Sequence, residues 1–374
     1  MNRVELKNIT KKFGDFTALD SISVEVEEGE LLSLLGPSGC GKTTTLRIIA
    51  GLETPTEGDV LIGGKRVNTL SAAERNIAMV FQFIALYPYI NVWENLAFPL
   101  KAQKMPMDQI KKKIEDISSV LGLDDVLYRY PRDIHPAQGQ MVSIGKAVIR
   151  DPEVYLFDEP LSHLDANMRV KMRADIKHLH EKLGRSMVFV THDQLEAMGL
   201  SDRIAIMSQG EIVQIGTPEE IFHKPVNQYV ADFVGTPPMN FLECEPVEDG
   251  DTFYLQKDSV KLKIKKELWK KAESGAKGHD LGKTQVVMGI RPRHIKLHTE
   301  NTLKESDFLV SGTVEFIDPE GKEIVVHVKL SEDVNLRVMV PFHYSVKEQD
   351  KVWIELEQNH IKIFLKDTGE AVLV

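Results

Sequence analysis

A glycine-rich segment between an apolar run and a helical pattern constrains the fold of this chain more than any other feature. The apolar run covers 31–35, and the helical pattern covers 44–50. A loop of this kind turns successive backbone N–H groups toward phosphate oxygens, and the following helix adds the positive end of its dipole. The segment is a P-loop, and it comprises Gly36, Pro37, Ser38, Gly39, Cys40, Gly41, Lys42 and Thr43.

Within this loop, Lys42 is predicted to reach the β- and γ-phosphates of a nucleotide, and Thr43 to ligate Mg²⁺. Thr44 belongs to the same predicted nucleotide site. The alternative is a glycine-rich turn without a ligand, which the complete motif in its strand-and-helix setting argues against. Cys40 has two interpretations. It could be a reactive thiol, because Lys42 and the helix N-terminus would lower its pKa. The favoured interpretation is that Cys40 is a small residue that fills the loop.

Two acids follow a second apolar run, at 154–157. If that run is a strand of a parallel sheet, Asp158 and Glu159 lie at the carboxyl edge of the sheet, beside the P-loop. Asp158 would hold Mg²⁺, commonly through water, and Glu159 would orient or deprotonate the water that attacks the γ-phosphorus. Such a pair alone is usually a solvated turn, whereas together with a P-loop it indicates nucleotide hydrolysis.

Length and composition limit the class of protein. The 374 residues predict two or three domains at about 100–200 residues each. A net charge of −10 disfavours nucleic acid as a partner, so none is expected. No apolar run approaches the roughly 20 residues that cross a bilayer, and no secretory signal precedes the first strand. Only Cys40 and Cys244 are cysteines, which fits a reduced, cytosolic protein.

Hydrophobic patterns divide the chain near residue 235. Before it, short apolar runs alternate with amphipathic windows, which predicts an α/β layer fold. The strands expected there cover 22–26, 59–62, 154–157, 187–190 and 203–207, with a helix over 167–183. After it, β-forming runs predict a small barrel or sandwich over 236–374. These runs cover 260–264, 285–290, 323–330, 352–356 and 360–365.

Further motifs appear in a fixed order. Gln82 follows a predicted strand at 77–81, and His192 follows another at 187–190. Ser162, His163, Leu164 and Asp165 come soon after the two acids, and 289–295 reads GIRPRHI. With these residues the chain resembles the ATPase subunits of ATP-binding cassette (ABC) transporters, in particular the maltose-transporter ATPase-like branch of carbohydrate importers. The resemblance implies a P-loop ATPase domain over 1–235, with a RecA-like core and a helical subdomain at about 88–150. An OB-type regulatory domain over 236–374 would follow.

The resemblance also implies individual roles. Phe13 would stack on adenine, and Gln82 would sense Mg²⁺ and the attacking water. His192 would contact the γ-phosphate and hold Glu159 in line, and Asp165 would communicate with a facing subunit. Taken singly, each has a simpler interpretation that is favoured, with Phe13 a core aromatic, Gln82 a loop amide and His192 a satisfied polar residue. Their joint occurrence in the family's order favours the functional roles.

The segment 81–89 carries more apolar surface than a loop normally exposes. Packing against a predicted helix at 92–103 is one explanation. The resemblance implies another, in which each of two transmembrane permease subunits docks a short helix in the groove around Gln82–Tyr89. The loop would meet the membrane subunit through Tyr87 and Pro88. The resemblance further implies an extracytoplasmic solute-binding protein, and a peripheral position on the cytoplasmic face of the membrane.

The chain departs from the family at its signature loop. Where the family has Leu-Ser-Gly-Gly-Gln, this chain has Ile134, His135, Pro136, Ala137 and Gln138. In the family, the serine hydroxyl and the glycine N–H groups bind the γ-phosphate held by the opposite subunit. Here the hydroxyl is absent, proline has no N–H, and alanine adds a Cβ. Pro136 is compatible with the first position of a helix over 137–149.

We therefore expect a heterodimer, in which a second ATPase supplies an intact signature to the ATP and Mg²⁺ bound by this chain. A homodimer in which His135 donates in place of serine is the alternative. The expected function is ATP-driven import of a carbohydrate, polyol or glycerol-like solute. Polyamine, iron or sulfate import, a soluble non-transport ABC ATPase and a nearly inactive regulatory subunit remain open at this point.

Overall fold

The computed structural model describes residues 2–250, 252–276, 278–282, 284–299 and 308–374. It divides into two compact units, Met1–Pro218 and Glu219–Val374. The segment 219–235 thereby groups with the second unit. The domain boundary after residue 235 stays a prediction.

Over the described residues 2–218, the first unit contains ten strands and six α-helices. The strands are β1 (Asn2–Phe13), β2 (Phe16–Glu27), β3 (Leu31–Leu35), β4 (Glu57–Ile62), β5 (Lys65–Arg66), β6 (Ile77–Val80), β7 (Val154–Asp158), β8 (Ser186–Thr191), β9 (Arg203–Ser208) and β10 (Glu211–Gly216). The helices are α1 (Lys42–Ala50), α2 (Val92–Ala102), α3 (Met107–Leu121), α4 (Pro136–Val148), α5 (Ala166–Leu183) and α6 (Gln194–Leu200).

Six strands form the central sheet, in the order β10-β9-β3-β8-β7-β6. All neighbours are parallel except β10, which pairs antiparallel with β9. Every residue of β3, β7 and β8 is buried, as expected for parallel strands covered on both faces. The predicted α/β class and its buried strands are confirmed.

A second sheet, antiparallel and ordered β2-β1-β4-β5, packs its apolar side chains with those of α1. The predicted strands at 22–26 and 59–62 lie within β2 and β4. Strand β1 was not predicted. Its pairing with β2 shifts register between Leu6 and Ile9, and this irregularity breaks the apolar alternation that identifies a strand.

Helices α2, α3 and α4 lie between β6 and β7, in the region for which the resemblance implies a helical subdomain. Asn91 caps α2 in a capping box with Glu94, which fixes where the helix begins. Buried aliphatic residues from all three helices, including Leu96, Ile114 and Val142, join one core cluster with the central sheet.

The second unit is mostly β. Its helices are α7 (Pro218–His223), α8 (Gln228–Phe233) and α9 (Lys266–Gly275). Its strands are β11 (Asn240–Asp249), β12 (Thr252–Lys257), β13 (Val260–Ile264), β14 (Val286–Ile290), β15 (Ile295–His298), β16 (Leu309–Glu320), β17 (Glu323–Lys329), β18 (Asn335–Pro341), β19 (Lys351–Leu356), β20 (Lys362–Leu365) and β21 (Ala371–Leu373).

These strands form two antiparallel sheets, ordered β13-β12-β11-β14-β20-β21 and β15-β19-β16-β17-β18. All five β-runs predicted from the sequence lie in strands, although β20 begins at Lys362 and His360 lies in a preceding 3₁₀ turn. Helix α9 was missed because only Leu268, Trp269 and Ala272 of its ten residues are buried, in a window rich in charge.

Arg291 anchors the segment 219–235 to the second unit. Its guanidinium donates to Val234 O at 2.6 Å and to Phe222 O at 3.0 Å, and it lies 3.8 Å from the centroid of the Phe222 ring. The side chain is 5% exposed, and this burial lowers its pKa to about 10. Arg291, the first arginine of the GIRPRHI motif, therefore stabilises the fold of this unit.

Replacing Arg291 tests this anchor. We expect Arg291→Met to lower the free energy of unfolding by about 2–4 kcal/mol, because two buried carbonyls lose their donors. The measurement is urea unfolding of the full chain followed by tryptophan fluorescence, since Trp269 and Trp353 both lie in the second unit. The control is Arg293→Met, which removes an exposed neighbour. Equal stability of the two variants would contradict the anchor.

Candidate functional site

The P-loop joins β3 to α1. Gly41 caps α1 with a φ of 107°. A Cβ at Gly41 would lie 2.5 Å from Leu19 Cδ2 and 2.9 Å from Ala18 O, so no other residue fits there without displacement. This close approach seats the N-terminus of α1 at the carboxyl edge of the central sheet.

The amine of Lys42 lies over the loop. Its Nζ donates to Gly36 O and to Pro37 O, each at 2.8 Å, and the side chain is buried. Cys40 Sγ lies 3.9 Å from the same amine. Burial raises the pKa of the Cys40 thiol although Lys42 opposes this. A buried thiol that resists ionisation favours the packing interpretation over the reactive one.

Thr43 and Asp158 meet beside the loop. Thr43 Oγ1 donates to Asp158 Oδ1 at 3.0 Å. Burial raises the pKa of the Asp158 carboxyl above its usual value, although the hydrogen bond from Thr43 opposes this shift. The structure thus brings together, as predicted, the end of β7 and the start of α1.

Glu159 and His192 form the second pair at this edge. His192 Nδ1 lies 3.2 Å from Glu159 Oε2. Glu159 has a φ of 45°, which is rare for a residue with a side chain, and its N–H donates to Val190 O at 3.0 Å. The hydrogen bond to β8 holds this strained conformation and turns the carboxylate toward His192.

Gln82 lies in a neighbouring cleft. It lines this cleft with Pro136 at the start of α4 and with Pro160 and His163 after β7. Phe83 stacks on His163 with ring centroids 5.2 Å apart. The loop that carries Gln82 therefore contacts the segment that follows the two acids.

Phe13 and Asp165 lie outside these pairs. Phe13 is 48% exposed at the end of β1, with Lys11 Nζ 4.6 Å from its ring centroid, so it is not a core aromatic. Asp165 caps α5 and accepts from Met168 N at 3.0 Å. This hydrogen bond stabilises the start of α5.

The segment 134–138, which is predicted to be an altered signature loop, caps its own helix. His135 is the N-cap of α4, and its Nδ1 accepts from Ala137 N at 3.3 Å. Gln138 Oε1 accepts from His135 N at 3.1 Å, and Pro136 is the first helical residue. Two donors at this helix start are thus used within the chain, and a third is absent because of proline.

A groove lies between the loop 81–89 and helices α2 and α4. Tyr87 contacts Phe98 with ring centroids 4.7 Å apart, so the loop packs on α2, yet both rings remain more than 40% exposed. Tyr89 is 91% exposed. The packing explanation of the apolar segment therefore holds in part, and the docking explanation stays a prediction.

Two residues that position this groove were missed in the sequence. Asn95, fully buried on α2, donates to Tyr87 O and Ile90 O at 3.1 Å each and accepts from Tyr87 N at 2.8 Å. Lys146 donates to Ala85 O at 3.0 Å and lies 4.0 Å from the Tyr87 ring centroid. The sequence offers one indication of such a role, because Asn95 lies on the apolar face of a helical pattern.

Comparisons with known proteins agree with this geometry. Three families match, described as ABC transporter over residues 19–162, MalK OB fold domain over 235–295 and TOBE domain over 288–364. The trehalose/maltose import ATP-binding protein MalK of Thermococcus litoralis is 41% identical over the whole of both chains. The sn-glycerol-3-phosphate import ATP-binding protein UgpC of Bordetella bronchiseptica is 43% identical over 87% of this chain and 86% of its own.

A solved structure is similar to the first unit. It is a dimeric, post-hydrolysis state of an ATP-binding cassette bound to ADP and phosphate, with a TM-score of 0.52 and 32% identity. The match covers 57% of this chain and 98% of the other. Among the described residues, no helix is long and apolar enough to span a membrane. With identity of this extent along its whole length, the chain belongs to the ABC transporter family, as an ATP-binding subunit that hydrolyses ATP to power transport.

Proposed function

We propose that this chain powers the import of a carbohydrate, polyol or glycerol-like solute from the cytoplasmic face of a membrane. The names of two relatives, a trehalose/maltose import ATP-binding protein and an sn-glycerol-3-phosphate import ATP-binding protein, support this class of solute. The observation that carries the catalytic part is the meeting of two pairs, Thr43 with Asp158 and Glu159 with His192, at one edge of the sheet.

Hydrolysis follows from the chemistry of these groups. Lys42 exchanges its contacts with the loop carbonyls for the β- and γ-phosphate oxygens. Glu159 orients the attacking water and accepts its proton as the bond to phosphorus forms. His192 lies against the Glu159 carboxylate through Nδ1, and by also contacting the γ-phosphate it would hold water, carboxylate and phosphorus in line.

Thr43 and Asp158 fit Mg²⁺. Their oxygens lie 3.0 Å apart. Hydroxyl and carboxylate oxygens are ligands that Mg²⁺ prefers, so the residues present fit the ion. Thr43 would ligate it, and Asp158 would hold it, commonly through water. When bound, Mg²⁺ would neutralise charge on the phosphates. Gln82 would sense the ion and the attacking water.

The remaining nucleotide contacts are peripheral. The exposed ring of Phe13 offers a face for adenine, a contact that reads the base loosely. The glycine-loop residues and Thr44 surround the phosphates. Asp165 lies where a facing ATPase subunit would meet the segment after β7, and it communicates across that interface.

The groove around Gln82 and Tyr89 is the proposed docking site for a transmembrane permease subunit. Exposed aromatic side chains line it or lie next to it, and α2 and α4 form its walls. A short amphipathic helix fits a groove of this kind. Two permease subunits and an extracytoplasmic solute-binding protein complete the proposed complex, and the solute contacts those components.

The capped start of α4 supports an asymmetric pair of ATPases. In the family, this helix start donates to the γ-phosphate of the facing subunit. Here the N–H groups of His135 and Ala137 are already engaged by Gln138 and His135. In the homodimer alternative, His135 would donate to the facing γ-phosphate through its other ring nitrogen, Nε2. A second, non-identical ATPase with an intact signature completes the nucleotide site of this chain.

Glu159→Gln tests the catalytic assignment. We expect hydrolysis by the purified complex to fall at least about 100-fold, because the water loses its base, while ATP binding is retained. Glu181→Gln, on the exposed side of α5, is the matched control and keeps the wild-type rate. The measurements are phosphate release and binding of a fluorescent ATP analogue. A Glu159→Gln rate within a few-fold of wild type would exclude Glu159 as the base.

Restoring the signature tests the asymmetric model. We expect the isolated chain with Ile134→Leu, His135→Ser, Pro136→Gly and Ala137→Gly to hydrolyse ATP at least about ten-fold faster. Regained donors to a charged phosphate contribute about 1.5–3 kcal/mol each. His135→Ala alone is the control, because it removes the cap without adding a hydroxyl or the two glycines. An unchanged rate in the fourfold variant would contradict the model.

A further inference from the structure

A cluster of two histidines and one glutamate lies in the second unit, where His294 of the GIRPRHI motif meets Glu357 and His360, to which no role has been assigned above. It is carried by two short 3₁₀ turns, Pro292–His294 and Gln358–His360. Backbone hydrogen bonds tie these turns together, since Glu357 N donates to His294 O at 3.0 Å and His360 N donates to Glu357 O at 2.9 Å. The backbone beneath the three side chains is therefore fixed.

The side chains converge on one carboxylate oxygen. Glu357 Oε2 lies 3.2 Å from His294 Nδ1 and 3.9 Å from His360 Nε2. One ligand atom from each of the three residues lies within 4.8 Å of the other two. All three residues are partly exposed, so an ion could reach them from solvent.

We propose that His294, Glu357 and His360 bind one divalent transition-metal ion of the Zn²⁺ class. Imidazole nitrogen and carboxylate oxygen are ligands that Zn²⁺ takes at about 2.0–2.1 Å, which places neighbouring ligand atoms of a tetrahedron about 3.3 Å apart. The spacing between Glu357 and His294 already matches this value. The nitrogen of His360 lies somewhat farther from the carboxylate and must approach it.

The rings of His294 and His360 are stacked, with centroids 3.7 Å apart and planes within 4°. A ring nitrogen binds a metal in the plane of its ring, so two parallel stacked rings cannot both aim at one ion. One ring must turn out of the stack. His360 is that ring, because its side chain is 40% exposed whereas that of His294 is 18% exposed.

Lys296 determines which oxygen of the Glu357 carboxylate binds the ion. Lys296 Nζ lies 3.6 Å from Glu357 Oε1, the oxygen that faces away from the histidines. The ion therefore binds Oε2 alone, and Lys296 orients the carboxylate as outer groups do around metal ligands. Water fills the fourth position. The positive charge of Lys296 makes the site weaker than one with four protein ligands.

His294 of the cluster lies close to Arg291 in the sequence, so binding of the ion affects the stability of the second unit. The turn that carries His294 begins directly after Arg291, whose guanidinium holds Val234 O and Phe222 O. A metal that joins this turn to the 358–360 turn therefore stiffens the anchor of the segment 219–235. Occupancy should stabilise the second unit.

The test is Zn²⁺ binding by the full, nucleotide-free chain after treatment with a chelator. Equilibrium dialysis with elemental analysis should give one ion per wild-type chain. His360→Ala and Glu357→Gln should each bind at least about ten-fold more weakly. His343→Ala, which removes an exposed histidine of the same unit, is the matched control and should bind as wild type does.

A second measurement reports on the ligands themselves. Co²⁺ in place of Zn²⁺ should give visible absorption bands of a four-coordinate site in wild type and in His343→Ala, and lose them in His360→Ala. Circular dichroism without metal confirms that each variant is folded. Absence of binding by wild type up to about 100 μM Zn²⁺, or undiminished binding by folded His360→Ala, overturns the proposal.

Discussion

The register of three parallel strands determines the rest of the first unit. Leu35 at the end of β3 pairs with Thr191 of β8, and Val190 of β8 pairs with Asp158 at the end of β7. The three strands therefore end at the same level. The P-loop, the two acids and His192 leave the sheet from these ends, so their chemistry converges without any of them being adjacent in sequence. A shift of one strand by a residue would separate Thr43 from Asp158.

A helix N-terminus has a limited number of free donors, and that number distinguishes α1 from α4. Gly41 begins α1 with no side-chain cap, so its first N–H groups are available to a phosphate. His135 begins α4 with a side chain that accepts from Ala137 N, and Pro136 has no N–H. The two helix starts thus differ in the donors that they offer. This difference is the physical basis of the proposed asymmetry, in which the chain would bind its own nucleotide well and complete that of a partner poorly.

The sequence predicted the parts of the site that are local. The P-loop, Asp158, Glu159 and His192 each follow an apolar run, and one strand end identifies each of them. Asn95 and the cluster of His294, Glu357 and His360 were not predicted, because their neighbours are set by packing and by contacts between distant turns. The altered signature and its consequence, inferred from the lost hydroxyl and N–H, stay predictions. The capping of the helix by His135 could not be predicted from the sequence, because histidine is not a common N-cap residue.

The most direct test of the account is whether this chain closes on itself around ATP. With Glu159→Gln to prevent hydrolysis, sedimentation velocity in Mg-ATP would measure the fraction of chain that dimerises. The account predicts a monomer for this variant, and a dimer once residues 134–137 also carry the family signature. A stable ATP-dependent dimer with the native signature would contradict it, and would show that His135 and its neighbours suffice to hold the facing nucleotide.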